Sequence, residues 1–253
     1  FYTDFNALQK WQVETPDSLQ QSVLAQVILD KLTGYAEMNA YQIRRRKETE
    51  ETAGEDIRTW SRGQFRMRCQ QLINESLRNP GLLAHSSTEP FKGSILLGDA
   101  SRYFMHDMLH LAGTHGVKVL ERLKNTGFLP NQEFQTESKS IYTYLQNYYT
   151  AQGNRSGSLL LSLNLLELRK TLNEISDSIY VLELGKLIEK NRDLEVCAEV
   201  YLQKATSLRD QKKRTEAVAL IDQALERYYR YDRAGALKQL RKEILNPSLF
   251  LQL

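Results

Sequence analysis

Three of the four histidines, His106, His110 and His115, fall in one stretch, HDMLHLAGTHG. His106 and His110 are spaced i, i+4, which puts two imidazoles on one face of a helix, the geometry through which they can share a metal ion. A metal held there would activate water for hydrolysis if an acid reached that water. The same spacing serves an ordinary half-buried helix face, with His115 in a helix-ending loop from Gly113 to Gly116.

The string resembles, as a near miss, the zinc metalloprotease pattern in which glutamate follows the first histidine and a third histidine lies three residues after a glycine. Asp107 stands in the glutamate's place on a shorter arm, His115 comes two residues after Gly113, and no methionine follows His115 to form the supporting turn. The expectation is therefore no bound metal and no cofactor, with a metal-dependent hydrolase at His106, His110 and His115 as the alternative.

A second constellation is cationic. Arg58, Arg62 and Arg66 are spaced i, i+4, i+8, one stripe along a helix, and no acid occurs from Ile57 through Asn74. Arg68 adds to the excess. With Arg44, Arg45, Arg46 and Lys47 upstream, and Trp60 and Phe65 nearby for base stacking, the stripe offers a surface for phosphates or for an acidic partner. The acids Glu48, Glu50, Glu51, Glu55 and Asp56 weaken the field of the first cluster, and acids on another helix would neutralise the stripe. Tyr142, Tyr144, Tyr148 and Tyr149, and Tyr228, Tyr229 and Tyr231, read as fillers between helices, with contact residues on a concave surface as the other reading. No P-loop, nucleophile-elbow serine, dinucleotide glycine pattern or acidic calcium loop is present, so an enzyme has no support beyond the histidines.

Helices must position these residues. Only 5 prolines and 13 glycines interrupt 253 residues rich in good helix formers, so the chain reads as all-α. Leu19, Val23, Leu24, Val27, Ile28, Leu32, Tyr35 and Met38 recur at helical spacing behind Thr15-Pro16-Asp17-Ser18, predicting a helix from 17 to about 46. A second helix starts near Glu55 and ends before Asn79-Pro80-Gly81. Residues 1–79 form a helical N-terminal region. Residues 80–100 form an irregular linker or loop, with Ile95-Leu96-Leu97 as the sole strand candidate and Gly98-Asp99-Ala100-Ser101 as a helix cap. From 101 to 253 helices alternate with breaks at Gly113–Gly116, Gly127–Pro130, Gly153–Gly157, Ser176–Ser178, Asn191–Asp193, Asp210–Arg214 and Asn246-Pro247. Such intervals suit antiparallel helix pairs stacked as an α-solenoid.

Within that region Lys204 to Tyr229 resembles a tetratricopeptide repeat. Ala205 and Leu208 fall in its first helix, and Ala217, Ile221 and Ala224 in its second, in the segment EAVALIDQALER. The small residues would let the two helices approach closely. Lys212 stands where the family places a turn glycine. Weaker likenesses lie at Leu145–Leu165 and Leu184–Tyr201, at irregular spacing.

The totals limit the partner. A net charge of +3 from 34 basic and 31 acidic residues is too small to imply nucleic acid globally. Cys69 and Cys197 form neither a disulfide framework nor a CxxC site. The chain opens on Phe1 without a leader pattern and lacks any apolar run near the ~20 residues of a membrane span. It reads as a soluble intracellular piece, cytoplasmic or nuclear, of a longer chain. The resulting expectation is a non-enzymatic scaffold or adaptor that binds another protein. Binding of nucleic acid or an acidic partner through the arginines is the alternative.

Overall fold

A computed structural model describes residues 2–48, 54, 56–91, 93, 105 and 107–246. Among them are twelve α-helices and no strand, only an isolated bridge between Ser87 and Asp107, so the chain is all-α. Ile95-Leu96-Leu97 and the cap Gly98-Asp99-Ala100-Ser101 lie outside the described residues. The chain divides into two compact units, Phe1–Leu145 and Gln146–Leu253; the stretch 80–100, where composition suggests a linker, falls within the first.

The first unit is organised around α2 (Ser18–Met38), which packs against α1 (Tyr2–Glu14), α4 (Arg62–Ser76) and α6 (Met108–Asn125). Asp17 opens α2 by accepting from the Leu19 and Gln20 N–H groups at 2.8 and 2.9 Å. Ala25, Ile28, Leu29, Leu32 and Ala36 form its buried stripe. The helix expected to continue to about 46 breaks at Asn39, after which α3 (Ala40–Arg44) carries the chain on.

The helix expected from Glu55 begins at Arg62. Ser61 and Gln64 form a reciprocal capping box at its start, and Trp60 ahead of them is extended, leaving Arg58 in a separate 3₁₀ turn, Ile57–Thr59. A short α5 (Pro80–Ala84) follows, with proline at its first position.

The largest correction lies in α6. Gly113 and Gly116 do not end a helix; α6 runs through both, because neighbouring helices press on them. A methyl group on Gly113 would collide with the Leu145 side chain, and one on Gly116 would meet Ile73 at 3.1 Å. These glycines permit close packing rather than a break.

Helix α7 (Asn131–Ala151) contains the division between the units. In the second unit α8 (Arg155–Thr171), α9 (Asp177–Asn191), α10 (Cys197–Asp210), α11 (Arg214–Arg227) and α12 (Ala234–Leu245) each pack on the next, a solenoid-like stack of antiparallel neighbours. The ends of α6, α7, α8 and α10 share one device. Gly127, Gly153, Asn173 and Lys212 take φ of 76°, 68°, 58° and 63°. In each case the next N–H reaches back five residues, as from Lys213 to the Leu208 carbonyl at 2.9 Å.

The turns from α9 to α10 and from α11 to α12 have no such residue. Between α11 and α12 the chain Tyr228–Arg233 is held by side chains: the Tyr231 hydroxyl donates to Glu199 Oε1 at 2.9 Å, and Arg233 Nη1 lies 3.1 Å from that oxygen. Glu199 is itself buried, so its charge is compensated by these two groups.

Candidate functional site

The two described histidines of the string, His110 and His115, are each engaged with other groups. Asp107 is the N-cap of α6, its Oδ1 accepting from the His110 N–H at 2.8 Å. The His110 ring is fully buried, and Nδ1 accepts from the Met105 N–H at 2.8 Å. Burial pushes its pKa down to about 3, so it is a neutral core residue with one nitrogen already used. His115 sits inside α6 rather than in a loop, and its Nε2 meets Asp30 Oδ1 at 3.0 Å. His106 lies outside the described residues. Among the described residues no group of three His, Cys, Asp or Glu side chains could hold a metal ion.

Around His115 a charge cluster ties α6 to α2. Arg122 clamps Glu37 with two nitrogens at 2.8 and 2.7 Å and reaches Asp30 at 3.2 Å. Burial works to raise the Asp30 pKa, but the bond and charge of His115, with Arg122, hold it below the usual carboxylate range.

The arginine stripe is neutralised from within the first unit. Arg58 pairs with Asp56 at 2.8 Å, Arg62 with Glu48 at 2.6 Å, Arg66 with Glu133 at 3.0 Å and Arg68 with Glu75 at 3.1 Å. Glu48 also accepts from the Gly63 N–H at the start of α4, and these contacts outweigh its desolvation and lower its pKa. Gln70 donates to Glu137 beside the Arg66–Glu133 pair, so α4 is fastened to α7 along the side that the spacing offered to phosphates. Trp60 and Phe65 are buried, edge to face at 5.2 Å, and are unavailable for base stacking.

The upstream basic cluster differs. Arg44 and Arg46 donate to the Thr126 and Trp60 carbonyls at 3.4 and 2.7 Å, and Arg45 lies over the exposed Tyr41 ring at 5.6 Å while donating to its hydroxyl. Neither they nor Lys47 form an ion pair among the described residues, although the charge of Arg46 reaches Asp56. Glu50, Glu51 and Glu55 lie outside those residues.

In the second unit Ala205, Leu208, Ala217, Ile221 and Ala224 are all buried where α10 packs on α11. Tyr142, Tyr149 and Tyr228 fill interior gaps, whereas Tyr144 and Tyr229 are exposed. No family model, curated protein or solved structure matches this chain.

What spacing did not single out is the outer face of α9. Tyr180, Leu184 and Ile188 are buried in the stack, while Ile179 and Leu182, one turn apart, are 46% and 59% exposed. The charged pair Lys186–Glu183, at 2.7 Å, borders them. An apolar centre with a charged rim is the anatomy of a contact patch. The signal was present, since Ile179 and Leu182 are out of phase with the Tyr180–Leu184–Ile188 stripe.

Proposed function

We propose that the chain is a non-enzymatic protein-interaction scaffold whose C-terminal unit is a tetratricopeptide-like stack. The observation that carries this reading is the exposed apolar pair Ile179 and Leu182 on a helix whose opposite face is buried. Solenoid helices present extended surface without a chemical centre. Contact energy in such surfaces concentrates in a few apolar anchors ringed by polar groups. Immobilised chain should capture a defined protein, and Ile179→Asp combined with Leu182→Asp should abolish the capture while the melting temperature holds. Capture undiminished in the double variant would overturn the assignment of this face.

A second reading, an acidic or nucleic-acid partner, is favoured by Arg44, Arg45, Arg46 and Lys47, which form no ion pair among the described residues, Arg45 lying over the exposed Tyr41 ring. It now rests on these four residues, because Arg58, Arg62, Arg66 and Arg68 are paired. No described helix is long and apolar enough to cross a membrane.

A further inference from the structure

The corner between α9 and α10 and the end of α11 enclose an open groove of about 480 Å³ lined by Arg192, Tyr201, Gln223, Glu226 and Arg227. Its frame is fixed. The Arg192 carbonyl accepts from Arg227 Nε and from the Tyr228 hydroxyl, each at 2.8 Å, and the Tyr228 ring meets Tyr201 edge on at 5.7 Å.

The frame leaves donors unused. Among the described residues the Arg192 guanidinium, the terminal nitrogens of Arg227, the Tyr201 hydroxyl and the Gln223 amide enter no hydrogen bond or ion pair. Asp193 is bonded by both terminal nitrogens of Arg155, at 2.5 and 3.0 Å, and reaches Arg227 only through its charge, without a hydrogen bond. Burial raises the Tyr201 pKa and keeps the phenol protonated as a donor.

Two arginines, a phenol and an amide that line one groove supply the donors for an oxyanion that accepts several bonds at once. Glu226, in the same groove and also without an ion-pair partner, decides which oxyanion. Its charge opposes a phosphate dianion more strongly than a carboxylate, and its oxygens can accept from a peptide N–H.

We propose that this groove is a recognition site for an acidic side chain, aspartate or glutamate, of a protein segment. The occupant rests on the scaffold reading; the chemistry of the groove does not.

The test uses the full chain and a short acetylated, amidated peptide of Asp, Glu and Ser, with its Asn/Gln isostere and a phosphoserine counterpart as comparisons. Arginine Nε–H resonances and fluorescence anisotropy report binding. The acidic peptide should bind saturably at about 0.15 M salt and shift the Arg192 and Arg227 signals, while the isostere does neither. Arg192→Gln should weaken binding about tenfold or more with no change in melting, because that guanidinium enters no hydrogen bond or ion pair among the described residues. Arg227→Gln also removes the bond to the Arg192 carbonyl, so Arg192→Gln is the deciding variant. Glu226→Gln should tighten binding. Equal binding of the isostere, unchanged binding by Arg192→Gln, or a phosphoserine peptide more than about tenfold tighter would each overturn the proposal. Peptide binding by a wild-type chain that captures no protein would remove the scaffold reading and leave the groove's chemistry standing.

Discussion

His110 shows how a residue type that suggests chemistry can be claimed by the core. Its ring is buried, its pKa is depressed to about 3, and the unfolded chain titrates near the ordinary histidine value of about 6.5. The unfolded state then binds a proton that the folded state refuses. The contribution is fully present above about pH 6.5 and is lost as pH falls toward 3, by up to about 1.4 kcal/mol per pH unit. Urea midpoints between pH 7 and 5 should fall in the wild type and fall less in His110→Asn, which keeps an acceptor near Nδ1 for the Met105 N–H. Equal slopes would show that another group drives the acid loss. Lys212 is a second such residue. It occupies the left-handed position that a tetratricopeptide turn gives to glycine, at φ 63°. Relief of that strain, less the entropy glycine adds to the unfolded chain, should make Lys212→Gly more stable by about 0.5–1 kcal/mol in denaturant titration. A loss of stability would mean that the lysine side chain stabilises the turn in a way its φ does not reveal.

Among the elements, periodicity revealed what is set locally and missed what is set by neighbours. The stripe of α2 and the hairpin of α10 and α11 could be read because each helix buries a face at regular spacing. The breaks at Gly127 and Gly153 could be read because glycine takes positive φ freely. Gly113 and Gly116 carry the same letter for another reason, close approach, and only the positions of Leu145, Ile141 and Ile73 distinguish the two. The turn at Tyr228–Arg233 was invisible because Glu199, far away in sequence, stabilises it. The partner of Arg66 was hidden for a similar reason, since Glu133 lies 67 residues away in sequence. Close packing gives two further tests. Ala217 is fully buried, and Ala217→Leu should cost about 1–3 kcal/mol by overpacking. Gly157→Ala would bring a methyl group within 2.9 Å of the buried Tyr149 ring, and the clash should exceed the gain in helix propensity of about 1 kcal/mol. A melting temperature unchanged by Ala217→Leu, or raised by Gly157→Ala, would show that these contacts are looser than drawn.

For the whole molecule the net charge is only +3, and the four arginines from Arg58 to Arg68 are paired internally, so counterion release on a phosphate partner would fall to Arg44, Arg45, Arg46 and Lys47. Each neutralised phosphate of duplex DNA adds about 0.9 to the slope of log affinity against log salt. Arg58→Gln, Arg62→Gln and Arg66→Gln together should leave that slope unaltered and change stability little, because solvent screens these exposed pairs. Submicromolar, salt-steep binding of nucleic acid that this triple variant abolishes would reverse the ranking. The central claim is that α9 offers a face to another protein, and site-specific photo-crosslinking tests it most directly. With a photoreactive side chain at Leu182, irradiation in the native cell should give one discrete protein adduct, competed away by unlabelled chain and lost when Ile179→Asp is added. A diffuse smear, or an adduct indifferent to Ile179→Asp, would contradict the claim.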